Sequence, residues 1–209
     1  MKLSNIPYKK LTLEFIAILL SIVLALAFDE WQQERETNQK ADLAQQKIFK
    51  EIKANFAEIK EFNTIVKSRY KKLKAIENEI DGTKGFHEYI SKFVGYRFTE
   101  LNNSAWQRAN SGILANYMDD EFVEQAFHLY NWNQTLQTFH LKMNDFLYQP
   151  HFFNPEKATF AWHISQRYKA QQIGWSNSMI KEYAKFIARY EEKTEDEEVK
   201  KVDSKESTD

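Results

Sequence analysis

The chain has 209 residues, 43% of them hydrophobic, 28% charged and 15% aromatic, with a formal net charge of −1. That balance excludes a disordered chain, and mixed charge without a basic stripe excludes a nucleic-acid surface. The lack of cysteine excludes disulfides and thiolate metal sites, and five glycines with three prolines are too few for the turns of a sheet protein. The composition therefore predicts an all-α chain.

Residues 1–10 carry Lys2, Lys9 and Lys10 and no acid. Residues 11–28 read LTLEFIAILLSIVLALAF and, past Glu14, are interrupted only by Ser21. Eighteen residues of helix cover roughly 27 Å, close to a hydrocarbon core of about 30 Å. Trp31 falls one turn beyond the apolar end, where an interfacial aromatic belongs, and the lysines can snorkel at the other end. This predicts a transmembrane helix. A buried core helix and a re-entrant or interfacial segment are weaker readings, since each would show a polar or charged face; a cleaved signal peptide competes more strongly, because Ala25-Leu26-Ala27 fits a small-x-small site. Against it, no polar or helix-breaking stretch precedes that site, and strong helix formers follow it. The lysines before the span and the acids after it, Asp29, Glu30, Glu34 and Glu36, orient the N-terminus to the cytoplasm and the remainder outside it. Ala17, Ser21 and Ala25 recur every four residues on one face, with Glu14 on about the same side. Small residues at that spacing let helices approach closely in lipid, which suits self-association or a partner helix. The plainer reading is ordinary span composition, with Glu14 paired to Lys10 one turn back.

No glycine or proline occurs between Pro7 and Gly82. Ala44, Ile48, Ile52, Phe56, Ile59, Phe62, Val66, Tyr70, Leu73, Ile76 and Ile80 recur with a mean step near 3.6, the period of a straight amphipathic helix and not of a strict coiled coil. The span is expected to run into this helix. Asp81-Gly82 and Gly85 mark a turn, and Phe86, Tyr89, Ile90, Phe93 and Val94 suit a short second helix. Asn103 and Ser104 resemble an N-cap, with Gly112 the stop of that helix. Asp119 and Asp120 open a long helix with the stripe Phe122, Val123, Ala126, Tyr130, Asn133, Leu136, Phe139, Met143 and Phe146, ended by Pro150. Pro155 suits the first turn of a helix running to Ile173 and stopped by Gly174. Ser176 then caps a last helix bearing Met179, Ile180, Tyr183, Phe186, Ile187 and Tyr190. Residues 191–209 hold nine acids and four lysines and predict a disordered, solvated tail. The expected architecture is a cytoplasmic segment (1–10), a span (11–28), an antiparallel helical bundle of about four main helices (29–190) and the acidic tail (191–209).

Catalytic, cofactor and metal motifs are lacking. There is no Gly-rich phosphate loop, nucleophile elbow or His-Glu-x-x-His run. His128, His140, His151 and His163 are spaced by eleven or twelve residues, which is no ligand spacing on a helix, and the paired Glu-x-x-His motifs of a di-iron bundle do not occur. Glu124 and His128 share a helix face, but one pair is more often solvated than metal-binding. Trp106, Trp132, Trp162 and Trp175 suit a core or, less often, the lining of a ligand pocket.

Two segments carry a resemblance. Glu30-Trp31 after an apolar run, and 104–130, SAWQRANSGILANYMDDEFVEQAFHLY, resemble a family of uncharacterised bacterial single-pass membrane proteins with a helical extracytoplasmic domain. The likeness covers about the first 60 residues and 104–135. It implies Trp31, Trp106, Gly112, Asp119 and Tyr130 as a signature, read as interface, core, stop, cap and core. It implies no activity. The expectation is a non-enzymatic interaction or scaffold module of the bacterial inner membrane, partnered by another copy or an envelope protein and needing no cofactor. The alternative is an extracytoplasmic small-ligand sensor acting through a membrane partner.

Overall fold

The computed structural model describes residues 8–91 and 99–206, with side chains over 12–91 and 99–192. The expected contacts of Phe93 and Val94, and the side chains of Lys2, Lys9 and Lys10, lie outside that set. The described residues form six α-helices and three 3₁₀ turns, and no strand. The helices are α1 (Tyr8–Ala75), α2 (Phe86–Ser91), α3 (Ser104–Asn110), α4 (Asp120–Leu147), α5 (Pro150–Phe153) and α6 (Ala158–Glu206).

Helix α1 runs unbroken for 68 residues, roughly 100 Å at 1.5 Å per residue. Its first part is apolar all round and exposed, with relative exposures from 49% at Leu19 to 71% at Leu13. Residues 29–40 follow as a solvated neck, exposed except for the half-buried Thr37. Pairs one turn apart support it: Gln33 donates to Asp29 at 3.0 Å, and Lys40 lies 3.7 Å from Glu36. From Ala41 onward one face is buried, through Ile48, Ile52, Ile59, Phe62, Val66 and Leu73.

Three long helices, in place of the expected four, build the body. Lys53 meets Glu191 (2.6 Å), Asn63 meets Asn177 (3.0 Å), and the Trp162 indole donates to the Leu73 carbonyl (2.9 Å), so α6 runs antiparallel to α1. Glu51 pairs with Tyr130 and Phe62 with His140, so α4 runs parallel to α1. The fourth helix is lost because α6 passes straight through Gly174 and Ser176. A mid-helix glycine costs about 1 kcal/mol against alanine. The buried positions on either side hold the helix across it. Ser176 is no cap: it is buried, and its hydroxyl donates to the Gln172 carbonyl one turn back at 2.7 Å. Nor does the backbone unwind at 191. It stays helical to Glu206, in a run of Glu and Lys without Gly or Pro, residues of high helix propensity.

The connections have local causes. At Gly82, φ is +75°, a conformation side chains resist, and Asp81 closes the turn by accepting from the Thr83 N–H (3.0 Å), the Thr83 hydroxyl (2.6 Å) and the Tyr89 hydroxyl (2.6 Å). Those bonds, the Thr83 hydroxyl first, hold the Asp81 carboxyl well below the usual range. Gly85 lets α2 approach α5: a β-carbon there would fall 2.3 Å from the Phe153 carbonyl oxygen. Asn154 caps the 3₁₀ turn Pro155–Lys157 that leads into α6, accepting from the Glu156 N–H at 2.9 Å.

The buried apolar residues fall into two groups, apart from Phe139 and Met143 of α4, which belong to neither. The larger joins α1 from Ala41 to Val66 with α3, α4 and the Met179, Tyr183, Phe186, Ile187 and Tyr190 face of α6. The smaller holds Leu73, Ile76, Phe86, Ile90, Phe152, Ala158, Ala161 and Trp162, at the end remote from the N-terminal apolar stretch.

Candidate functional site

The first candidate is the exposed stretch of α1. It makes α1 the one helix, among the described residues, long and apolar enough to cross a membrane by length and composition, and none of that window is buried in the fold. Glu14, Ala17, Ser21 and Ala25 are all exposed on it. The Ser21 hydroxyl donates to the Ala17 carbonyl at 2.8 Å, so its polar group is satisfied within the helix. Trp31 lies at the end of the stretch, its ring 5.7 Å from that of Phe28 and under the Arg35 guanidinium at the same distance.

The second is a node around Glu51, a residue outside the apolar stripe read for α1. Glu51 is 8% exposed. Its carboxylate accepts from the Tyr130 hydroxyl (2.7 Å), the Ala105 N–H (2.9 Å) and the Ser104 hydroxyl (3.1 Å). It thus caps α3 from another helix: Asn103, at the N-cap position, makes no side-chain capping bond. One turn on, Asn55 clamps the Asn102 backbone, donating to its carbonyl (2.7 Å) and accepting from its N–H (2.8 Å). Trp106 stacks on Tyr130, centroids 5.2 Å apart and planes 11° apart. Burial, reinforced by the Glu51 hydrogen bond, pushes the Tyr130 hydroxyl above its ordinary range, so it stays a donor. The chemistry here is the fixing of α3 against α1 and α4. The signal that could have flagged it is the want of an acidic residue in the first turn of α3.

Other expected positions are simply placed. Asp119 accepts from the Phe122 N–H at 2.7 Å and caps α4. Gly112 does not close α3 in the left-handed conformation, since Gly82 is the positive-φ glycine among the described residues. Ser111 closes it, its N–H donating to the Gln107 carbonyl. Glu124 and His128 are both exposed. The four tryptophans do not converge: Trp106 stacks at α3, Trp162 belongs to the smaller core, and Trp132 and Trp175 line separate surface grooves. The groove at Trp132, between α4 and α6, has a volume of ≈ 690 Å³ and is also lined by His128, Glu182, Lys185 and Arg189.

The third candidate lies between the two apolar groups. Four successive inward positions of α6 are polar: Ser165, Lys169, Gln172 and Ser176, each at most 1% exposed. Asn63 accepts from the Ser176 hydroxyl at 3.1 Å, and Asn177 accepts from both Asn63 (3.0 Å) and the Lys67 ammonium (3.1 Å). His140 enters from α4. Burial, then the charge of Lys169, pushes its imidazole down to about 4, although a backbone bond at Thr99 opposes the shift. Burial, then Arg69, pushes the Lys169 ammonium down to about 7. The amide nitrogen of Gln172 is buried without a protein hydrogen-bond partner. Nothing in the apolar periodicity reveals this layer, because its residues are inward at helical spacing and polar.

No known protein family, curated protein or solved structure matches the chain.

Proposed function

We propose that this protein is a membrane-tethered interaction module of the bacterial cell envelope. Residues 11–28 span the inner membrane from a cytoplasmic N-terminus, and a non-catalytic helical bundle stands outside the cytoplasm to hold an envelope partner or a second copy. The observation that carries this reading is the exposure of every large apolar side chain from Leu13 to Phe28. An apolar helix surface of that extent is costly in water and is matched by lipid. The run reaches Ala25-Leu26-Ala27 without a polar or helix-breaking stretch, which favours a retained span over a cleaved leader. The buried polar groups of the Glu51 node support the non-catalytic reading, since they are spent on joining α1, α3 and α4. The test is carbonate extraction with mass determination of the N-terminus. A chain that stays in the membrane pellet and retains residues 1–28 supports the tether; a soluble chain beginning at Phe28 overturns it. Purification in mild detergent should recover a stoichiometric partner or a dimer, and a lone monomer at native abundance counts against the interaction role.

The groove at Trp132 favours a second reading, a small-ligand sensor that signals through a membrane partner. Quenching of tryptophan fluorescence by a ligand, abolished by Trp132→Phe, would select it.

A further inference from the structure

A folded body is held as one cooperative unit when its apolar core is continuous. Here the α1–α6 contact is apolar at both ends and polar between them. On the side nearer the apolar stretch, α6 offers Met179, Tyr183, Phe186, Ile187 and Tyr190 to the α1 face that includes Ile48, Ile52, Ile59 and Phe62. On the remote side it offers Ala158, Ala161 and Trp162 to Leu73 and Ile76. Between these, the four inward residues of α6 are Ser165, Lys169, Gln172 and Ser176, facing Asn63 and Arg69 of α1 and His140 of α4. On the α1–α6 side this layer buries polar side chains, and water entering it could supply the partner that the Gln172 amide nitrogen lacks, so opening on that side forfeits little hydrophobic energy; the apolar burial at this level belongs to Phe139 and Met143 of α4. The remote core is also the smaller, eight buried apolar residues against twenty-one. Its links across the layer are an aromatic run on the α4 side, where Tyr168 meets Phe139 at 5.0 Å and Phe146 at 5.9 Å. That run gives the motion a hinge side.

We propose that the polar layer across α1, α4 and α6 is a built-in seam, and that the remote end of the body, the last turn of α1 with α2, α5 and the first turns of α6, opens as a unit while the larger core stays folded. The seam gives the protein a second conformation without unfolding the part nearest the membrane. An event at the remote end, such as partner capture, can be coupled to that opening.

Native-state hydrogen exchange of the full chain in detergent micelles tests this, read by mass spectrometry on peptides from each core. Amides at 70–75, 86–90 and 158–164 are expected to exchange at least about tenfold faster than those at 48–62, 126–136 and 179–187, and with a common opening rate constant. The double variant Lys169→Met, Gln172→Met makes the core continuous and should bring the two sets within about threefold. A second variant guards against misfolding of the first: Phe86→Leu trims the remote core and should speed its exchange about tenfold or more without changing the larger core. Equal exchange in both cores of the unaltered protein, a gap that persists in the folded double variant, or a Phe86→Leu effect spread evenly over both cores would each overturn the seam.

Discussion

Over residues 13–28, α1 presents Leu, Ile, Val and Phe in every direction; over 41–73 the same helix presents apolar side chains on one face and Lys, Glu and Gln on the others. The backbone does not change between the two. What changes is how much of the circumference is apolar, and that alone separates a segment suited to a uniform apolar surround from one suited to a boundary between core and water. The comparison also separates two kinds of leucine-like residue. Those of the first region touch nothing in the fold, whereas those of the second are packed at interior density, where removing volume opens a cavity.

The sharpest way to break that contrast is a paired truncation. Phe62→Ala is expected to lower the unfolding free energy of the body by about 3–5 kcal/mol. Leu20→Ala is expected to leave it unchanged. Denaturation of the detergent-solubilised chain followed by tryptophan fluorescence compares them, and equal losses would mean that the first region packs on the body. Next in size is Glu51→Gln, which keeps the shape but weakens the acceptor shared by Tyr130, Ser104 and Ala105. A loss of about 1–3 kcal/mol is expected, with α3 amides losing exchange protection before those of α4.

Acid should act on the body that packs against the second region. The His140 imidazole, held at about 4 against an ordinary value near 6.5, takes a proton in the unfolded chain and not in the folded one between those pH values. Stability therefore falls as the pH drops from 6.5 toward 4. The Lys169 ammonium, held at about 7 against 10.5, makes stability climb as the pH rises through that interval, because the folded chain sheds the proton first. Thermal melts across pH should show both slopes. His140→Gln should flatten the first and Lys169→Met the second. The smallest effect expected is a gain: Gly174→Ala places a methyl group where nothing lies within 4 Å and should stabilise α6 by about 1 kcal/mol, raising the melting midpoint by roughly 2–4 °C.

The comparison also explains what could be read before any coordinates. Both regions of α1 were legible because apolar spacing reports directly on circumference: the uninterrupted run at 15–20 and the 3.6 step from Ala44 to Leu73 are strong signals. The α4 stripe was legible for the same reason, down to the buried Asn133. Gly174 and Ser176 misled, since a glycine followed by a hydroxyl residue reads as stop and start when only local propensity is weighed. The buried positions around them, Gln172, Ser176 and Met179, pack inward in the fold and outweigh a cost of about 1 kcal/mol. Glu51 and Asn55 stayed hidden among lysines and glutamates because no local pattern distinguishes a solvated carboxylate from one that caps a helix about a quarter of the chain away. The polar layer was illegible on principle, as periodicity methods equate inward with apolar. Its residues keep the helical phase and drop the chemistry that the method counts.

The neck at 29–40 has a geometric consequence. If 11–28 lie in lipid as proposed, twelve helical residues fix the altitude of Ala41 at roughly 18 Å above the hydrocarbon edge, and an unbroken helix also fixes its compass bearing. Removing seven neck residues would lower the body by about 10 Å while turning it only about 20°, and removing two would turn it by about 200° with a descent of about 3 Å. Height and heading are therefore separately adjustable.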